Sequence, residues 1–255
     1  MFNPLEHPII LTPPKCQEGS SWTEHLPFAF FLIEAVRPKT LVELGTYAGA
    51  SYSAFCQAIT ELELDTKTWG VDTWQGDKQA GLYDNSVYNR VCEHQKANNY
   101  TKFSTLLRMT FDEARPQFEK GSVDILHIDG LHTYEAAKND YETWRETVSP
   151  NGVILFHDIH AHYRGFGVYK LWEELTKSNA NFDFKHGHGL GVLMNGEVPA
   201  GLRPLVEATP QEADNIRELF HRLGMACAVG QTEHELHKIQ SHVSYKILRR
   251  IIPRT

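Results

Sequence analysis

Glu43-Leu44-Gly45-Thr46-Tyr47-Ala48-Gly49-Ala50-Ser51 sets two glycines between an apolar run and a helix-type stretch. The backbone there can turn tightly and let a ligand approach it closely. Asp72 ends the next apolar run, 23 residues after Gly49, about where an acid receives ribose hydroxyls in nucleotide-binding units. A carboxylate at that point can accept from both hydroxyls. This pair alone fits a nicotinamide dinucleotide and S-adenosylmethionine equally. Glu43, on the lip of the turn, would repel a pyrophosphate and attract an ammonium or a sulfonium, and the pattern departs from G-x-G-x-x-G. The plain alternative is an ordinary strand-to-helix turn.

Asp129 and His157-Asp158 end two further apolar runs. Two carboxylates and an imidazole at neighbouring strand ends can hold a divalent cation. Imidazole suits manganese, iron or zinc better than magnesium, so Asp129 and Asp158 are the firmer ligands and His157 the weaker one. The alternative has Asp129 capping the helix that starts near Thr133 and Asp158 anchoring a loop. His132 lies three residues after Asp129. It is the candidate general base for deprotonating a hydroxyl near neutral pH, against the plain reading of a helix-capping surface histidine. His160 and His162 read as solvated loop residues, and His186 and His188 as a hairpin loop. Trp74, Tyr83 and Tyr88 fit either a lid over an acceptor or the packing of an insertion.

The elements that would carry these residues alternate in type. Helix-type Leu26 to Val36 precedes a strand Thr40 to Leu44, a helix Gly49 to Glu61 and a strand Thr68 to Asp72. After a polar insertion, Trp74 to Tyr100, come a strand Phe103 to Leu107, a helix Asp112 to Glu119 with Asp112 as N-cap, and a strand Val123 to Asp129. A helix Thr133 to Val148, a turn Ser149 to Gly152, a strand Val153 to Phe156, a helix Val168 to Ser178 and a hairpin pair, Asn181 to Lys185 and Gly189 to Met194, complete the unit. Unbroken apolar runs are strands buried on both faces, which belong to a parallel sheet covered by helices. The chain divides into a Pro-rich cap over 1–25, an α/β unit over 26–196 and a helical extension over 197–255, with helices near Gln211 to Leu223 and Glu233 to Ile252.

The chain has 255 residues, 41% hydrophobic and 22% charged, enough apolar material for a core and too little charge for disorder. With 25 Lys+Arg against 32 Asp+Glu, the net charge of −7 disfavours nucleic acid as a partner. Leu26 to Val36 is the longest apolar stretch and is too short to span a membrane. MFNPLEHPIILTPPK lacks the basic start and long apolar core of a secretory signal, so a cytoplasmic location is expected. The four cysteines form no CxxC pair and read as buried thiols.

At ELGTYAGAS the sequence resembles the class I S-adenosylmethionine-dependent methyltransferases, and its Tyr47 is similar to the metal-dependent catechol-type O-methyltransferases. VDTWQGD, DILHIDGLHTYEAAKNDYETW, SPNGVILFHD and HGHGLGVL look like a narrower bacterial branch. That branch is often encoded beside, or fused to, glycosyltransferases and is related to the macrolide-sugar O-methyltransferases. The resemblance spans roughly Val42 to Leu193. It implies a three-layer Rossmann-like fold with a seven-stranded, mostly parallel sheet. It places Glu43, Gly45, Thr46, Tyr47, Gly49, Ser51, Asp72, Thr73 and Asp129 around S-adenosyl-L-methionine. It also implies a magnesium or manganese ion on Asp129, His157 and Asp158, although the last pair is Asp-Asn in catechol-type enzymes. At the position of His132 catechol-type enzymes carry Lys and macrolide-sugar enzymes His, consistent with a base.

The expected reaction is methyl transfer to a hydroxyl, most simply one of a vicinal sugar diol in a polysaccharide or glycosylated metabolite. Two rivals stay open. His132, Asp129 and His157 supply the two-His-one-carboxylate set of a non-haem iron oxygenase, and a noncatalytic module could keep the cofactor pocket to recruit a glycosyltransferase. The C-terminal stretch carries Lys238, Lys246, Arg249, Arg250 and Arg254 beside Ile239, Val243, Ile247 and Ile251. This basic amphipathic helix fits a solvated face, an anionic membrane or a partner, including a second copy of the chain.

Overall fold

The computed structural model describes residues 2–16, 20–77, 79, 81–163 and 165–241. Among these residues the strands are β1 Thr40–Leu44, β2 Lys67–Asp72, β3 Gly76–Asp77, β4 Gly81–Leu82, β5 Ser104–Arg108, β6 Val123–Ile128, β7 Val148–His157, β8 Asn181–Phe184 and β9 Leu190–Met194. The helices are α1 Leu26–Val36, α2 Ala50–Glu61, α3 Asn85–Ala97, α4 Phe111–Ala114, α5 Tyr134–Trp144, α6 Val168–Leu175, α7 Arg203–Val206 and α8 Pro210–Ser241. Seven strands form one sheet in the order β5-β2-β1-β6-β7-β9-β8, with β3 and β4 a separate hairpin. β5, β2, β1, β6 and β7 pair in parallel, and β9 runs antiparallel to β7 and β8.

Apolar residues fill both faces of the central strands, as the unbroken runs require. Phe28, Phe31, Phe55, Phe184 and Phe220 pack on one face with Ile9, Ile10, Trp22, Leu202, Leu205 and Ile216, so the N-terminal segment and the tail share that core with α1 and α2. Phe118, Trp144, Phe156 and Trp172 fill the other. Strand order reverses between β1 and β6, where Leu44 is in register with Ile128. In open α/β sheets the ligand crevice lies beyond that point.

Several elements differ from expectation. Thr110, and not Asp112, caps α4, through a reciprocal pair with Glu113, and the segment then tightens into a 3₁₀ turn over Arg115–Gln117. Pro116 there lacks the N–H a longer helix needs. Ser149 to Gly152 is a bulge inside β7, whose register jumps between Val123↔Val148 and Ile125↔Val153. The insertion folds as the β3–β4 hairpin and α3, which Asp84 caps by accepting from Ser86 N. Among the described residues α8 runs unbroken across the gap expected between Gln211 to Leu223 and Glu233 to Ile252. A Cβ on Gly224 would stand 2.0 Å from the Glu24 carbonyl oxygen, so its absence lets α8 lie against Ser21–His25. The basic positions after Ser241 lie outside the described residues. Cys16 and Cys56 are buried, whereas Cys92 and Cys227 are half-buried. No helix among the described residues is long and apolar enough to cross a membrane.

Candidate active site

The glycine turn lies directly on the end of β6. Gly45 N donates to Val71 O, and Asp129 N donates to Leu44 O, at 2.9 and 2.8 Å. Gly45 has φ +95°, and a Cβ on it would stand 2.0 Å from the Asp129 carbonyl oxygen, so only glycine fits. Tyr47 also has positive φ, and Asp72 holds it there. Asp72 Oδ2 accepts from Tyr47 N at 2.8 Å, and its Oδ1 accepts from Trp74 N at 2.7 Å. Trp74 Nε1 donates back to Tyr47 O at 2.8 Å. Asp72 thus braces the turn.

Beyond the turn opens a cavity of about 540 Å³. Gly45, Thr46, Tyr47, Gly49 and Ser51 line one side of it, Asp72 and Thr73 the end of β2, and Asp129, His132, His157 and Asp158 the opposite end. Glu43 is not among the lining residues. It is fully buried, and its Oε2 lies 2.8 Å from His127 Nδ1 beneath the Trp22 ring, whose centroid is 4.9 Å from that of His127. Of the three insertion aromatics only Tyr83 lines the cavity, 4.8 Å from the Tyr47 ring. Trp74 is buried, and Tyr88 packs between it and Arg108. Sequence reasoning missed Trp22, which arrives from the Pro-rich lead-in, and Tyr163, Phe166 and His188, which close the acidic end.

His160 pairs with Asp183 at 3.3 Å and His162 packs on Tyr169, both away from the lining residues. His186 stacks between His25 and His221. Burial and the neighbouring His221 lower it to about 4.

At the acidic end, Asp129, His132 and Asp158 bring one ligand atom each to within 4.8 Å of one another. His132 Nε2 is 2.9 Å from Asp158 Oδ2 and 3.6 Å from Asp129 Oδ1. Its Nδ1 is 3.2 Å from Gln79 Oε1, and its ring stacks on Phe166 at 4.5 Å and 3°. His157, expected as a ligand, stands behind the carboxylates. Its Nδ1 is 3.3 Å from both Asp129 Oδ1 and Asp158 Oδ2, and its Nε2 is 3.0 Å from the Gly187 carbonyl. Both of its ring nitrogens face acceptors, and it stands outside the group that Asp129, His132 and Asp158 form. Asp158 Oδ1 is buried without a hydrogen bond, although His188 Nδ1 lies 3.2 Å away.

The electrostatics follow from this crowding. Burial alone would lower His157, but the charges and hydrogen bonds of Asp129 and Asp158 outweigh it and raise it to about 10. Burial would likewise lower His132, but the hydrogen bonds and charges of the same two carboxylates outweigh it and raise it to about 9. Burial would raise Asp129 and Asp158, yet His157 and His132 hold both well below the carboxylate range. The histidine terms stabilise the metal-free fold fully below about pH 6.5, and that contribution is lost as pH rises through about 9 to 10. The carboxylate terms are present above about pH 4 and lost on acidification. The Tm of chelator-treated protein should therefore fall as pH is raised from 6.5 to 10, with a smaller fall when Asp129 and Asp158 are both changed to Asn.

A divalent cation fits this donor set. Two carboxylate oxygens and one imidazole nitrogen face a single point, one buried carboxylate oxygen accepts no hydrogen bond, and the set is charge-deficient unless a proton or a metal sits within it. Asp129 and Asp158 would hold the ion, and the Nε2 atom of His132 would stand beside it with its lone pair left for a proton.

Comparison with known proteins agrees with the geometry. Residues 42–159 match the family model described as a methyltransferase domain. The uncharacterized protein y4gI of Sinorhizobium fredii is 45% identical over 203 residues, 79% of this chain, and this chain spans 22% of that protein's length. The O-methyltransferase TomG of Streptomyces achromogenes, involved in tomaymycin synthesis and solved with S-adenosylmethionine, superposes with TM-score 0.52 at 11% identity, covering 71% of this chain and 82% of that one. The Podospora anserina methyltransferase PaMTH1, solved with S-adenosylhomocysteine, gives TM-score 0.52 at 13% identity over 70% and 80% of the two chains. The chain has the Rossmann-like methyltransferase fold, and the segment that carries its glycine turn and its acidic strand ends matches the methyltransferase-domain family.

Proposed function

We propose that the protein is an S-adenosylmethionine-dependent O-methyltransferase acting on a sugar hydroxyl with the help of a divalent cation. The observation that carries this reading is the single cavity joining the braced glycine turn to Asp129, His132 and Asp158. The turn and Asp72 hold the cofactor, and Tyr163 and Phe166 offer ring faces on which a pyranose can lie. A divalent cation, when bound, supplies acidification of the acceptor hydroxyl and a grip on its vicinal neighbour. The acceptor oxygen forms a bond to the methyl carbon as the carbon–sulfur bond breaks, and S-adenosylhomocysteine leaves with the electron pair. With the carboxylate charge met by a cation, His132 Nε2 no longer needs its own proton and accepts the one the hydroxyl loses. Holding oxygen, carbon and sulfur in line supplies much of the rate.

The test is methyl-labelled S-adenosylmethionine offered with nucleotide sugars, oligosaccharide fragments and simple catechols, with and without chelator. Label in a sugar hydroxyl, lost on chelation, is the expected result. Preference for catechols would overturn the carbohydrate assignment, and full transfer in chelator would remove the cation from the account. Asp72→Ala, which frees both the Tyr47 and Trp74 amides, should weaken S-adenosylhomocysteine by about 1.5–3 kcal/mol in calorimetry.

A further inference from the structure

Ser20, Ser21 and Trp22 form part of the wall of the cavity that the glycine turn also lines, yet they lie outside the segment 42–159 that matches the methyltransferase domain. They sit at the start of one 3₁₀ turn, Ser21–His25. Ser20 caps it by accepting from Trp22 N at 3.1 Å, while Thr23 Oγ1 accepts from Ser20 N at 3.3 Å. A short 3₁₀ turn has poor internal hydrogen-bond geometry, so its place depends on what packs around it. Trp22 rests on Phe55 and His127, with ring centroids 5.7 and 4.9 Å away. The next two residues are held by α8. Thr23 Oγ1 donates to Gln231 Oε1 at 2.9 Å, a buried bond between residues 208 apart. Glu24 lies so close over Gly224 that a Cβ on the glycine would stand 2.0 Å from Glu24 O and 2.7 Å from its Cα, backbone atoms that cannot swing aside. A Cβ on Gly230, in the same helix, would meet nothing within 4 Å.

We propose that α8 is a working part of the cofactor cavity, with Gly224 and Gln231 as positioning residues that seat the Ser21–His25 turn and so set where Ser20, Ser21 and Trp22 stand in the cavity wall. A binding site keeps its affinity only when the residues behind its wall hold that wall in place. The identity of the ligand rests on the function proposed above, whereas the seating of the wall on α8 does not.

The wild-type chain, Gly224→Ala, Gln231→Met and Gly230→Ala are compared by hydrogen–deuterium exchange over Ser20–His25 and by calorimetry with S-adenosylhomocysteine. Alanine is ordinarily the better helix residue, so Gly230→Ala should keep wild-type values in both. In Gly224→Ala the Ser20–His25 amides should exchange faster, and the affinity should fall about tenfold, roughly the worth of one hydrogen bond between wall and ligand. Gln231→Met keeps the length of the side chain and removes the acceptor, and should weaken the ligand about threefold. Wild-type exchange in both Gly224→Ala and Gln231→Met, faster exchange with wild-type affinity, or an equal loss of affinity in Gly230→Ala would each overturn the proposal. If Gly224→Ala does not fold, Gln231→Met decides by the same two readouts. Failure of the wild type to bind S-adenosylhomocysteine would instead overturn the methyl-transfer reading, and the exchange comparison would still decide whether α8 holds the wall.

Discussion

At the proposed cation site, Asp158→Asn should abolish Mn²⁺ binding and reduce the proposed methyl transfer to background while S-adenosylhomocysteine still binds. Asp158 contributes a buried oxygen that accepts no hydrogen bond and a second that already draws His132 to 2.9 Å. The amide keeps the size of the side chain and removes its charge, so the donor set loses the attraction that holds a divalent ion. The loss should exceed the roughly 10–100-fold typical of residues one step behind a metal ligand. Paramagnetic titration of Mn²⁺ measures it, and calorimetry with S-adenosylhomocysteine on the same preparation reports whether the cavity is intact. Mn²⁺ bound with wild-type affinity in Asp158→Asn would remove this carboxylate from the cation site.

The second large effect lies outside the cavity. Glu43→Ala should cost about 2–5 kcal/mol of stability, the range for truncating a fully buried side chain to alanine. Glu43 and His127 have no exposed side-chain surface, sit on the paired strands β1 and β6, and meet at 2.8 Å under Trp22. Alanine leaves a polar ring without its acceptor and a void where a methylene and a carboxylate packed. Glu43→Gln, which retains an acceptor of the same size, should lose much less. Denaturant unfolding of the three proteins separates these outcomes. Equal stability of Glu43→Ala and wild type would mean that the pair does not support the sheet.

The strand ends were legible because several buried runs stop at or just before an acid or histidine, and a parallel sheet brings such ends to one edge. Asp72, Asp129, His132 and Asp158 follow from that rule and do line one cavity. The division of labour between His132 and His157 was not legible, because spacing says nothing about which ring nitrogen faces which acceptor. The Gly187 carbonyl, 30 residues away, faces His157 Nε2, and no spacing in the sequence announces that contact. Glu43 read as a cofactor contact because it precedes the turn, but strand alternation and the facing His127 turn it into the sheet. Trp22 had no periodicity to announce it, since it arrives on a 3₁₀ segment of a Pro-rich lead-in. A glycine in a helix pattern marks a gap unless another backbone needs the room, as that of Glu24 does beside Gly224. The expected cap Asp112 gives way to Thr110, whose T-x-x-E pattern forms a capping box with Glu113.

Isothermal titration with S-adenosylhomocysteine tests the central claim most directly, because the turn, the bracing carboxylate of Asp72 and the cavity all bear on that one ligand. The account predicts saturable binding of one molecule per chain, unaffected by chelator and weakened in Asp72→Ala. The absence of binding, with NADH bound in its place, would contradict it.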